Sequence, residues 1–93
     1  MTVISAEDAQ RRLAGLPGWK IDTGELVKTF NFKDFREALA FVNHVGEAAE
    51  SAGHHPDIDI RYNRVRLGLV THDAGGLTEK DFNLASTANT LVG

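Results

Sequence analysis

The chain has no cysteine, two prolines, and one residue each of methionine, tryptophan and tyrosine in 93 residues. Without cysteine there is no disulfide framework, no thiolate nucleophile and no cysteine-ligated zinc. No apolar run approaches the roughly 20 residues that span a bilayer, which argues against a membrane partner. The opening Met1-Thr2-Val3-Ile4-Ser5-Ala6-Glu7-Asp8 has no basic stretch followed by an apolar one, so it does not read as a secretory leader. Basic charge is also in short supply. Ten Lys and Arg stand against thirteen Asp and Glu, a net charge of -3, and no stretch of sequence concentrates the basic residues, so the pattern gives no nucleic-acid partner. These absences together suggest a cytoplasmic protein.

What is present is an ordinary globular composition, 42% hydrophobic and 25% charged. The length suits one domain over residues 1–93, with no internal repeat or linker. A chain this short hides only about 60–70% of the surface its unfolded form exposes, for a stability of about 5–14 kcal/mol. Small domains without disulfides often gain burial by self-association, so a homo-oligomer is expected.

Local patterns divide the chain. Ser5, with Asp8 three residues on, caps a first helix bearing Ala9, Leu13 and Leu16 on one face, and Leu16-Pro17-Gly18 ends it. Trp19 to Ile21 and Leu26 to Phe32 read as strands joined across Asp22-Thr23-Gly24-Glu25, with the stem of Lys28 among Leu26, Phe30 and Phe32. From Lys33 to Ala52, Phe35, Ala38, Leu39, Val42, Val45, Gly46 and Ala49 keep helical spacing, and Gly53 supplies a left-handed stop. His54-His55-Pro56 is then a loop, since Pro56 forces extended backbone on His55. Asp57 to Tyr62 alternates, with Ile58, Ile60 and Tyr62 on one side; Asn63-Arg64 turns into a strand from Val65 to His72 whose Val65, Leu67, Leu69 and Thr71 face one way. After Asp73-Ala74-Gly75-Gly76, Thr78 caps a last helix with Asp81 at its third position and Leu84, Ala85, Ala88, Leu91 and Val92 as its apolar stripe. The order α-β-β-α-β-β-α predicts an α+β sandwich, a four-stranded antiparallel sheet with helices on one face.

The chemistry-bearing side chains collect at one edge of that sheet. In an antiparallel hairpin the start of one strand lies beside the end of the next, so Pro56 and His72 fall together. Topology therefore brings His54, His55 and His72 to one place, and the short loop to Thr78 brings Asp81 with them; His44 lies off the apolar stripe, on the surface. Glu50 shares a face with His54 if the helix extends that far. Imidazole, with an unperturbed pKa of roughly 6.5, gives and takes protons near neutrality, and a neighbouring carboxylate such as Glu50 or Asp81 fixes its tautomer. No serine sits in a nucleophile motif and no glycine-rich loop awaits a phosphate, which favours proton transfer over covalent chemistry. Adjacent His54 and His55 in extended backbone point apart, and their spacing fits no zinc motif, so no metal site is assigned.

Glu50, His54-His55-Pro56, Tyr62, His72 and Asp81, in this order and spacing, resemble the signature of the pterin-4a-carbinolamine dehydratases, as does Thr71-His72 through Gly75-Gly76-Leu77-Thr78-Glu79-Lys80-Asp81 to Asn83-Leu84-Ala85. The likeness extends to Gly18-Trp19. It implies dehydration of 4a-hydroxytetrahydropterin, left behind by a pterin-dependent aromatic amino acid hydroxylase, to quinonoid dihydropterin, in a dimer or tetramer with no cofactor. On that basis His54 and His72 are the expected proton-transfer pair, His55 orients the pterin, and Glu50 and Asp81 hold the imidazoles. Trp19 forms part of the pocket wall or of the core. The competing expectation is an interaction module, akin to family members that act as dimerisation cofactors of a transcription factor.

Overall fold

The computed structural model describes residues 2–92. Helix α1 spans Ala6–Arg12 and runs into a 3₁₀ turn, Leu13–Gly15; β1 (Lys20–Asp22) and β2 (Glu25–Asn31) follow. The long helix α2 (Phe35–Ala52) leads to β3 (Asp57–Arg61) and β4 (Arg64–Leu69), and a second 3₁₀ turn, His72–Ala74, precedes α3 (Glu79–Thr90). The strands form one antiparallel sheet in the order β1-β2-β4-β3, so α2 crosses over to place β3 at the edge and β4 in the centre. This is the expected fold, with the helices packed on one face of the sheet.

Each helix starts where a side chain takes up the free amides of its first turn. The Ser5 hydroxyl accepts from Asp8 N, Asp34 from Glu37 N, and Thr78 from Lys80 N. Asp34 therefore delays α2 to Phe35, two residues after the sequence pattern suggested. Gly53 ends it at φ 65°, in the left-handed region glycine enters freely.

The core lies between the helices and the inward rows Leu26, Phe30 and Val65, Leu67, Leu69. The buried stripe of α2 is Ala38, Phe41, Val45 and Ala49. It is displaced from the expected one because Phe41 packs on Phe30 and Phe32, with ring centroids 4.6 and 5.0 Å apart. Phe35 and Leu39 consequently face outward, 46% and 42% exposed. Lys28 lies on the inner face as expected. Its ammonium sits 4.6 Å from the Phe30 ring centre and donates to Pro17 O and Asn89 Oδ1, and burial lowers its pKa from the ordinary lysine value.

The first two strands are each shifted by one residue from the sequence reading, and three further boundaries differ from it more. Tyr62 leaves the strand and occupies a two-residue turn with Asn63 at φ 51°, 66% exposed. Strand β4 stops at Leu69, so His72 opens the 3₁₀ turn; Thr71 continues only as an isolated bridge to Gly76. At the C-terminal end of α3 the helix stops at Thr90, leaving Val92 exposed instead of in the buried stripe.

Candidate active site

At the sheet edge where β3 begins and β4 ends, a cleft of about 400 Å³ is lined by His54, His55 and His72 together with Val70, Thr71 and Lys80. The three imidazoles expected to converge do so. They arrive by different routes: His54 and His55 follow the Gly53 stop of α2, and His72 starts the turn after β4.

Behind His54 lies the most buried polar cluster of the molecule. Asp81 has 0% exposure, yet both carboxylate oxygens are satisfied. Its Oδ1 is 2.5 Å from His54 Nε2, and its Oδ2 accepts from Thr71 Oγ1 at 2.8 Å and from the Thr78 amide at 2.9 Å. Because the Thr71 hydroxyl proton goes to Asp81, the 2.8 Å contact between the Thr71 and Thr78 hydroxyls is donated by Thr78. The Thr78 oxygen then accepts from Lys80 N, closing the network. The same Asp81–Thr78 pairing forms the capping box of α3, so one carboxylate both starts a helix and holds an imidazole. With Nε2–H donated to Asp81, the nitrogen His54 leaves for a ligand is Nδ1.

His55 is held differently. Its Nε2 is 2.5 Å from Glu50 Oε2, and both side chains are exposed, at 63% and 77%. Glu50 thus partners His55 and not His54, because the helix stops at Ala52 and the left-handed Gly53 carries His54 off the face of α2. Glu50 itself does not line the cleft; it borders the neighbouring surface of α2 with Val42 and Ile58. His72 is exposed, lines the cleft and makes no side-chain hydrogen bond among the described residues. Trp19 is not brought to the cleft. It is 5% exposed in the core, edge-on to Phe30, and its indole N–H donates to Asn89 Oδ1 at 2.9 Å.

Sequence reasoning gave Thr71 no role at the site and read Thr78 only as a cap. The signal for Thr71 was its place in the core-facing series Val65, Leu67, Leu69, Thr71, where a hydroxyl needs a buried partner. Lys80, the one lysine lining the cleft, carried no pattern of its own. Among the described residues no group of three His, Asp or Glu gathers closely enough to hold a metal ion, and no helix is long and apolar enough to cross a membrane.

An imidazole backed by a buried carboxylate, with two more imidazoles lining the same small cleft, sits on a compact α+β scaffold. Comparison with known proteins places the chain more narrowly. Residues 2–91 match the family model described as pterin 4 alpha carbinolamine dehydratase, and the chain belongs to that family. Similar chains bearing the same family name include one from Acidobacterium capsulatum, 56% identical and covering 99% of this chain and 100% of its own, and one from Chloroflexus aurantiacus, 55% identical over the full length of both. Among solved structures, the transcriptional coactivator/pterin dehydratase from Brucella melitensis superposes with a TM-score of 0.95 at 32% identity, covering 99% of this chain and 100% of that one.

Proposed function

We propose that the protein dehydrates a 4a-hydroxytetrahydropterin to quinonoid dihydropterin and water, serving the turnover of an aromatic amino acid hydroxylase. The observation that carries the reading is the convergence of His54, His55 and His72 on one cleft with Asp81 buried behind His54. The reaction needs one proton on the departing 4a oxygen as the C4a–O bond breaks, and loss of one proton from N5 as the C=N bond forms. His54 Nδ1 takes the N5 proton, and the resulting imidazolium is stabilised by Asp81. His72, in its protonated form, supplies the proton that leaves with the hydroxyl as water. His55, held by Glu50, orients the pterin ring. No charged intermediate needs an oxyanion hole, so general acid–base help of about 10²–10⁴ per group accounts for a useful acceleration.

Stopped-flow decay of the 4a-carbinolamine, with and without the purified protein, tests this directly. Faster decay in proportion to protein concentration is the expected result; decay at the uncatalysed rate would remove the proposal.

The same reading includes self-association. Phe35, Leu39 and Val42 form an apolar strip on α2, and Ile58 on the edge strand adds to it at 39% exposure. A second copy covering this strip is the arrangement a small domain needs to extend its core. Leu39→Asp is expected to lower the mass seen by light scattering to that of a smaller oligomer or monomer. An unchanged mass would place the contact elsewhere.

A further inference from the structure

The face of the sheet away from the helices carries a second depression, of about 320 Å³, lined by Thr29, Asp59, Arg61, Arg64 and Arg66. Its volume falls at the small end of the range for ligand sites, roughly 300–1,000 Å³. The strand register explains how it forms. Thr29, Arg66 and Asp59 make one row across β2, β4 and β3, and Asn31, Arg64 and Arg61 make the next. Three guanidinium groups from the six residues 61–66, in a chain of net charge -3, are thus brought side by side on one face.

Two features of this hairpin run against its own stability. Arg61 and Arg64 are direct cross-strand partners, and like charges in that position repel. The turn between them puts Tyr62, a bulky residue, at φ 51°, where glycine or asparagine is the unstrained choice. The existing carboxylates relieve the repulsion only in part. Asp59 accepts from Arg61 Nε at 3.3 Å, and Asp22 reaches Arg66 only at 4.0 Å, while Arg64 has no ion-pair partner among the described residues. Local conflicts of this kind gather where a ligand supplies the missing interaction.

We propose that this depression binds a compact phosphate dianion, free or as the end group of a small ester, between Arg64 and Arg66 with Arg61 and the Thr29 hydroxyl at its rim. Guanidinium forks match phosphate oxygens, and a phosphate between Arg64 and Arg66 meets the guanidinium that has no ion-pair partner among the described residues and the one whose carboxylate stands 4.0 Å away. The ligand is compact because the surrounding face is mixed. Asp57 lies beyond Asp59 on the same strand, and Asp22 and Glu25 pair one row further on, so an extended polyanion continued along the strands in that direction meets carboxylates.

The test is an amide and arginine-side-chain NMR titration of the full chain with inorganic phosphate and, separately, adenosine 5′-monophosphate, with sodium chloride at matched ionic strength as control. Saturable shifts confined to Thr29 and residues 59–66 are expected. They should weaken at least about tenfold in Arg64→Ala/Arg66→Ala, the effect of losing one charge-assisted pair, while carbinolamine turnover stays unchanged. Arg64→Lys, which keeps the charge and loses the fork, should fall between. Equal affinity for the two probes identifies free phosphate as the ligand; tighter binding of the nucleotide with an added Tyr62 shift identifies an ester. The proposal is overturned by shifts that do not saturate, that persist in the double variant or that centre on His54 and His72. It is likewise overturned by a single-stranded oligonucleotide that binds more tightly than either probe with a steep salt dependence.

Discussion

Replacing His54 and His72 together by alanine is expected to lower the rate of carbinolamine dehydration by about 10³-fold or more, down to the floor set by the uncatalysed reaction. In the proposed mechanism the two residues act on different atoms of one step, so each single variant should lose about 10²-fold, and the losses need not multiply. Folding should survive the change. The His72 side chain is exposed and makes no hydrogen bond among the described residues, and without His54 the Asp81 carboxylate still accepts from Thr71 and from the Thr78 amide. A double variant with native circular dichroism and undiminished stopped-flow turnover would show that the imidazoles are not the proton carriers.

The largest expected effect on stability is at Asp81. Asp81→Ala strips the Thr78 amide, the Thr71 hydroxyl and His54 Nε2 of their acceptor in a place with no access to water, at about 1–3 kcal/mol for each buried group left unpaired. The bond from the Thr78 amide is also the Asp81 half of the capping box of α3, so that loss is already in the count. A total loss of about 3 kcal/mol or more is a large part of what a domain this size has, and urea denaturation should show it as a lower midpoint with an unchanged slope. Asp81→Asn separates structure from chemistry. The amide oxygen still serves Thr71 and Thr78, so the stability loss should stay within about 2 kcal/mol. Its NH₂ now faces His54 Nε2 and demands a lone pair there, which moves the imidazole proton to Nδ1, the side that meets the ligand. An imidazole in the wrong tautomer cannot accept the N5 proton, and turnover should fall by about 10²–10⁴-fold, by analogy with the buried aspartate of the serine protease triad. Equal damage from Asn and Ala to stability, with activity intact in Asn, would contradict the assignment of His54 as base.

The histidine cluster was legible in the sequence because it depends only on topology. Once Asp57 onward and Val65 onward read as a hairpin, the residues before the first strand and after the second had to meet. The partner of each imidazole was not legible, since Glu50 could reach either His54 or His55 until the helix end was fixed by Gly53 and its φ of 65°. Trp19 shows the same limit. A tryptophan beside a strand start serves a core or a pocket equally well in sequence, and only the side chain of Asn89, distant along the chain, decides it. The alternation at Tyr62 misled because period-two patterning has no term for where a turn begins. The arginine depression was invisible for a further reason: alternation assigns a face to each strand, but only the register across β2, β4 and β3 says which side chains share a row.

Helix α2 sits between the Asp34 cap and the Gly53 stop, and both histidines that follow it inherit their direction from the last turn. Gaining or losing one residue inside that helix would rotate everything downstream by about 100°. His54 would swing away from Asp81 even in a chain that still packed. The span from 34 to 53 is in effect a ruler, intolerant of length variation, whereas the two-residue bends at Thr23-Gly24 and Tyr62-Asn63 could lengthen without disturbing the distant chemistry.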